Sequence, residues 1–439
     1  MKHFTNFPSF ILLLLSYSTV AAQEPWTLER CIDYAVSHNI SIEQYKVRQE
    51  QQQLQLQTAK AQRLPDLNAS ASQNFSFGRG LTAENTYTNT NTSSTSFSVG
   101  TSVPLFTGFQ IPNQIRLNQL NLEAVTQDLE KAKNDIRTQV AQQFVQVLYN
   151  QEILGVARRQ VSIDSAQVVR LQALLGVGRI SKVELSQQQA TLSQSLLTVT
   201  QAENNVQLAL LTLSQLLEME SPQELWPIAS PDISSVMPAE EESAAAETAY
   251  SRPEVVAEEL RLQASERNIK IAQAGLYPTL SFSAGLGTNY YTTSGFKADP
   301  FGKQLKNNFS QYLGLNLNIP IFNRFQTRNS IRSAKLERVN QQLLLTNTKK
   351  TVYKEVQTAY FNAVAAAEKL RSSYQARLAS HEAFNLMQAK YEQGKATPTE
   401  FNEAKNNYLK TESDLTQARY EYLYQKALLH FYRGEDFHF

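Results

Sequence analysis

The chain has 439 residues, with 41 Lys+Arg against 40 Asp+Glu and a formal net charge of +1, a balance that lacks the basic surplus nucleic-acid binding demands. A single cysteine, Cys31, excludes an internal disulfide framework and a thiolate metal cage. The five histidines are scattered without ligand spacing, so no metal centre or cofactor site is expected.

Glycine (15) and proline (14) are sparse while glutamine reaches 43, which suits long polar helix faces better than a loop-rich enzyme fold. At the N-terminus, Lys2 and His3 precede an apolar run, Phe10 to Leu15, and the small residues Val20-Ala21-Ala22. This pattern predicts a secretory signal peptide over 1–22, because the run is too short for a membrane anchor. A helical segment from Leu28 to Arg63 then ends at Pro65.

Two alternating segments follow, at about 67–78 and 94–105, around a polar loop. In the first, Leu67, Ala69, Ala71, Gln73, Phe75 and Phe77 alternate with Asn68, Ser70, Ser72, Asn74 and Ser76. Period-2 patterns of about ten residues, with small polar residues on one face, match strands of a transmembrane β-barrel. A half-buried soluble sheet gives the same alternation, but none of these sets carries Asp, Glu, Lys or Arg. A long helical hairpin is predicted over 113–217, turning at Gly178. Residues 218–243, with Pro222, Pro227, Pro231 and Pro238, read as a linker.

The second half repeats the first. Val103-Pro104-Leu105-Phe106 and Ile319-Pro320-Ile321-Phe322 lie 216 residues apart, and the same offset pairs Gly178 with Gly394 and Glu184 with Glu400. The chain is therefore a tandem duplication: a first repeat over 23–217, a second over 244–433 and a tail over 434–439. The second repeat has strands at about 280–290 and 309–319 and a hairpin over 325–433. If 327–391 is helical, it spans ~98 Å. Four strands per chain cannot close a barrel, so the chain must oligomerise to satisfy its edges.

These features together resemble the TolC family of outer-membrane efflux proteins. The likeness rests on the duplication, the opening Trp26-Thr27-Leu28-Glu29-Arg30-Cys31-Ile32 segment, the Val103-Pro104-Leu105-Phe106-Thr107-Gly108 join into a long helix, and the two glycine tips. The resemblance implies a mainly α homotrimer with a membrane β-barrel. Each chain would contribute four strands to a shared twelve-stranded barrel and long helices to a periplasmic α-barrel. It also implies an outer-membrane exit duct, not an enzyme, serving a tripartite efflux or type I secretion system. Its partners would be outer-membrane lipid, a periplasmic adaptor and an inner-membrane transporter.

The tips read Gly178-Arg179-Ile180-Ser181-Lys182-Val183-Glu184 and Gly394-Lys395-Ala396-Thr397-Pro398-Thr399-Glu400. Glycine in a left-handed C-cap ends each descending helix, and capping boxes are expected at Ser181–Glu184 and Thr397–Glu400. By resemblance, Glu400, Glu403 and Glu184 form an acidic ring at the periplasmic entrance, and Tyr391 takes part in closing it. Gly178, Arg179, Ser181, Gly394, Lys395 and Thr397 would receive the adaptor. Ala396 stands where better-known members carry an arginine, which puts the family's closing contacts in doubt. A periplasmic coiled-coil scaffold or surface stalk without a pore shares the helices but does not account for uncharged strand faces. An exported hydrolase lacks a nucleophile elbow or metal spacing. The cargo is not legible in the chain.

Overall fold

The computed structural model describes residues 25–81, 85–225 and 251–437. The expected signal peptide, most of the 218–243 linker and the last two residues of the tail lie outside them.

In chain order the elements begin with α1 (Leu28–His38), α2 (Ile40–Ala61), β1 (Asn68–Ser76), β2 (Arg79–Leu81), β3 (Tyr87–Asn89) and β4 (Thr92–Thr107). The long helices α3 (Gln110–Gly176) and α4 (Lys182–Leu216) follow, with a short 3₁₀ turn at Pro222–Leu225. The second half holds α5 (Pro253–Ala274), β5 (Thr279–Thr293), α6 (Phe301–Asn307), β6 (Ser310–Asn318), α7 (Gln326–Glu392) and α8 (Pro398–Tyr432).

The single helix expected from Leu28 to Arg63 is two helices, because Asn39 serves both ends. It donates its backbone N–H to the Ala35 carbonyl to close α1, and its side chain accepts from the Ser41 N–H at 2.9 Å to open α2. Asn39 Nδ2 also donates to the Leu216 carbonyl at 3.1 Å, tying this break to the end of α4.

Helices α3 and α7 have 67 residues each, α4 and α8 have 35 each, and corresponding ends lie 216 residues apart. At 1.5 Å per residue the longer pair spans about 100 Å. The strand-to-helix joints also repeat: Gly108 (φ 61) and Phe109 (φ 67) correspond to Arg324 (φ 54) and Phe325 (φ 63), all left-handed. Phe106 packs edge-on against Phe109 at 5.3 Å, and Phe322 does the same with Phe325 at 5.5 Å.

Four strands form one antiparallel sheet in the order β1-β4-β5-β6. Register sorts the side chains into transverse rows. Ser70, Ser98, Gly287 and Ser310 make one polar row, and Asn68, Gly100, Gly285 and Tyr312 make the next. Between them runs the row Ala69, Val99, Leu286 and Gln311, and beyond lies Thr101, Ala284 and Leu313. Paired serines bridge the polar face, Ser70 to Ser98 at 2.8 Å and Ser72 to Ser96 at 2.7 Å. On the apolar face Leu313, Leu315 and Leu317 are exposed. Among the described residues the outer edges of β1 and β6 pair with nothing.

Two pieces of structure stand where the sequence suggested only polar loops, the β2–β3 hairpin and α6. Both are too short to show a period. Helix α6 is instead fixed by tertiary bonds: Gln304 accepts from the Tyr291 N–H at 2.9 Å and donates to the Tyr291 carbonyl at 3.0 Å.

The largest buried apolar cluster joins α1, the middle of α3, the last turns of α4 and the end of α8, with Phe144, Leu148, Leu213, Leu217 and Leu423 at its centre. Each such leucine or phenylalanine contributes about 1.5–3 kcal/mol by burial. Cys31 is fully buried in this cluster, and burial pushes its thiol up to about 12, so it packs as a small apolar group. Among the described residues no helix is long and apolar enough to cross a membrane.

Candidate functional site

The two helical hairpins end in matched turns. Gly178 (φ 71) and Gly394 (φ 70) are left-handed. The Gly178 N–H bonds the Leu175 carbonyl and the Arg179 N–H bonds Leu174, both at 2.9 Å. Gly394 and Lys395 bond Tyr391 and Lys390 in the same way at 3.1 and 2.9 Å. Both are Schellman closures, which satisfy helix-end carbonyls and need a residue at ease with positive φ.

The ascending helices start differently. Thr397 and Glu400 form a complete capping box: Thr397 Oγ1 accepts from the Glu400 N–H at 3.2 Å, and the Thr397 N–H donates to Glu400 Oε2 at 2.7 Å. Pro398 fills the first helical position. At the other tip only half of the expected box forms: Ser181 Oγ accepts from the Glu184 N–H at 3.3 Å, with no return bond from Glu184 among the described residues.

Glu400 is fully exposed, and the hydrogen bonds from the Thr397 backbone and hydroxyl hold its carboxyl below the ordinary glutamate value. Glu403 lies one turn along the same helix, exposed and without a hydrogen bond or ion pair to the described residues. Arg179 and Lys395 are exposed at the turns.

Tyr391 is brought into a different set of contacts. Its ring stacks on the buried Phe401 at 4.7 Å, at the foot of an aromatic column continuing through Phe384 and Tyr408 between α7 and α8. From the other hairpin, Arg170 places its guanidinium 5.0 Å over the Tyr391 ring. Arg170 Nη2 donates to the Tyr391 and Glu392 carbonyls at 3.2 and 2.9 Å. A cation at the carbonyl end of a helix meets both unsatisfied acceptors and the negative end of the dipole. Burial raises the Tyr391 hydroxyl above its usual value, Arg170 opposes that rise, and the nearby charge of Glu184 adds to it. Ala396 supplies no arginine here, and Arg170 reaches the same tyrosine from α3.

Arg170 is the lowest of three polar links along one seam between the hairpins. Above it Asp164 of α3 is paired with Lys405 of α8, with side-chain exposures of 0% and 1%. Gln188 of α4 donates to the same Asp164 oxygen at 3.3 Å. Higher still, Arg159 bonds Glu412 at 2.9 Å. The 216-residue offset maps these charged groups onto Leu386, Ser380, Gln189, Gln375 and Leu196, all uncharged. The sequence did signal one of these links: Asp164 and Lys405 both interrupt buried stripes, Ala157–Asp164–Val168–Leu171 and Phe401–Lys405–Leu409. Arg170 carries no such mark.

The sequence matches the outer membrane efflux protein family over residues 31–218 and 245–435. It is 21% identical over 318 residues to the outer membrane efflux protein BepC of Brucella suis, spanning 72% of this chain and 67% of that protein. It is 27% identical over 281 residues to the pyoverdine export outer membrane protein OpmQ of Pseudomonas aeruginosa, spanning 63% of this chain and 56% of that protein. The fold superimposes on crystal structures of CusC, with a TM-score of 0.80 and 17% identity over 93% of this chain and 92% of that one. Against the outer membrane protein VceC of Vibrio cholerae the TM-score is 0.78, at 17% identity over 94% of this chain and 97% of that one. With the family matched across both repeats and both hairpins, the chain belongs to the outer membrane efflux proteins, TolC-like exit ducts of the outer membrane that extend into the periplasm.

Proposed function

We propose that three copies assemble so that the β1 edge of one chain pairs with the β6 edge of the next, closing a twelve-stranded barrel in the outer membrane. The long helices continue that barrel as a tube through the periplasm. The observation that carries this reading is the sheet itself: one face dominated by Leu, Val, Phe and Ala, one face dominated by Ser, Gly and Asn, and, among the described residues, two unpaired edges. Lipid offers an open strand edge no hydrogen-bond partner, so a sheet with these faces needs neighbours on both sides. A stalk without a pore would leave the apolar face and both edges uncovered.

Each chain is read as two repeats, 23–217 and 244–433, joined by an equatorial linker at 218–243 and preceded by a cleaved leader at 1–22. The assembled duct conducts passively. An inner-membrane transporter supplies energy and cargo through a periplasmic adaptor, whose helical hairpins meet the tips at Gly178, Arg179, Ser181, Gly394, Lys395 and Thr397. No cofactor takes part, and the same geometry serves either an efflux or a type I secretion machine.

At the entrance, Glu400 and Glu403 of three chains, with Glu184 alongside, make an acidic ring that attracts cations and is blocked by multivalent ones. Trimers of the parent protein in planar bilayers are expected to prefer K⁺ over Cl⁻. Glu400→Gln with Glu403→Gln should lower that preference and weaken multivalent block, glutamine at 400 keeping the capping geometry. An unchanged permeability ratio would count against the ring, and non-conducting trimers against the duct.

Tyr391 and Arg170 hold the two hairpins together at the entrance and so favour its closed form. Arg170→Ala is therefore expected to raise resting conductance, with Arg170→Lys intermediate because an ammonium keeps the charge but not the planar guanidinium that lies over the Tyr391 ring. Equal conductance in all three proteins would remove Arg170 from the closure.

A further inference from the structure

The polar face of the sheet holds one large side chain in an unusual seat. Tyr312 of β6 pairs with Gly285 of β5, which pairs with Gly100 of β4, which pairs with Asn68 of β1, all in one transverse row. A Cβ on Gly285 would lie 2.5 Å from Tyr312 Cε1 and 2.9 Å from its hydroxyl oxygen. A Cβ on Gly100 would meet the same hydroxyl at 3.6 Å. The tyrosine therefore does not stand up from the sheet. It lies along the row, ring over one glycine and hydroxyl reaching the strand beyond. Glycine inside a strand usually marks such a close approach, and aromatic cover of a strand glycine is a known way to pin register. Both glycines have backbone that other residues adopt, since neither has a positive φ. Space for the ring, rather than backbone freedom, is what they supply.

From this we infer that the Gly100–Gly285 recess holds Tyr312 flat against the wall of the membrane duct, and that Gly285 sets how far this ring projects into the bore. The inference rests on the barrel reading above, in which the Ser-Gly-Asn face lines water. In a trimer, three such rings would share one level of the barrel, surrounded by serine hydroxyls. An amphipathic or aromatic cargo sliding along that wall would meet them as its apolar contact. A methyl group at position 285 leaves the ring one free direction, inward.

The test uses access from the outer mouth, which does not depend on the state of the periplasmic entrance. Ser283 lies on the same polar face, nearer the helices than Gly285. In a Ser283→Cys background, with native Cys31 fully buried, a small maleimide and a polymer-linked maleimide are added from outside to cells. The small reagent should label Cys-bearing trimers at one rate in every variant. The polymer reagent should be slowed by Gly285→Ala, restored by Gly285→Ala with Tyr312→Ala, and unaffected by Tyr312→Ala alone. A polymer rate indifferent to Gly285→Ala in assembled trimers overturns the inference. So does a marked acceleration by Tyr312→Ala alone, which would mean that the ring already obstructs the bore. The Tyr312→Ala comparison decides the matter even if Gly285→Ala fails to assemble. Failure of the small reagent in the parent background would instead sink the barrel reading.

Discussion

Lys405→Met is expected to loosen the packing of the two helical hairpins near their tips by about 3–5 kcal/mol, the cost of leaving a buried charge without its partner. Asp164 and Lys405 are sealed between α3, α4 and α8 with almost no exposure. One Asp164 oxygen accepts from both Lys405 and Gln188, while the other is buried without a partner among the described residues. Methionine would fill the volume of the lysine stem, so the loss isolates charge rather than packing. Asp164→Asn with Lys405→Met should recover most of it, because a buried ion pair adds little over a neutral replacement even though breaking it is costly. Amide hydrogen exchange of the assembled protein reads this directly. Exchange near residues 160–190 and 398–412 should accelerate by about two to four orders of magnitude in the single variant and return towards the parent in the double. A single variant exchanging like the parent would show that water already reaches Asp164.

Gly108→Ala carries the second large effect, about 2–5 kcal/mol from a left-handed backbone combined with overpacking. The residue has φ 61, and a Cβ there would lie 2.7 Å from the Ala274 carbonyl oxygen and 2.9 Å from Tyr277 Cβ. The carbonyl belongs to backbone, so it cannot step aside as a flexible side chain would. Arg324, at the equivalent joint, adopts φ 54 with a full side chain. Conformation alone is thus tolerated at this joint, and contact with the end of α5 is what makes position 108 intolerant. Arg324→Gly should change stability by no more than about 1 kcal/mol, while Gly108→Ala should lower the thermal unfolding midpoint. Equal effects at the two joints would refute the steric explanation.

Much of this architecture was legible because its determinants are local. The two glycine tips, the proline-led α8 and the Thr397–Glu400 box are each written within a few residues, and the repeat offset allowed each half to be checked against the other. The strands were legible because Ser, Gly and Asn alternate with a mostly apolar set of Ala, Phe, Val and Leu. Local signals failed where an element is held from elsewhere. Nothing near residue 301 announces α6, whose Gln304 is fixed by the backbone of Tyr291. Likewise, the break at Asn39 depends partly on a carbonyl 177 residues away. At the candidate site the glutamates could be placed by position, but Arg170 could not. It meets Tyr391 across two hairpins, and its own repeat counterpart is Leu386. Asp164 and Lys405 each looked out of place on an apolar stripe. That they answer one another, 241 residues apart, is a fact about packing that neither helix states alone.

The unequal seams bear on why the two halves share one chain. A duct with six identical half-chains around its axis would need every boundary between hairpins to be the same. Here the boundary between the two hairpins of the chain uses Asp164, Lys405 and Arg170, whereas the positions equivalent to them by the 216-residue offset hold Ser380, Gln189 and Leu386. A half-length chain with only the first repeat would have to bury Asp164 opposite a glutamine, with no cation to receive it. After duplication, divergence has thus made each half dependent on the other. In the proposed trimer the covalent link is a commitment to threefold symmetry, fixing which neighbours are kin within a chain and which are strangers between chains.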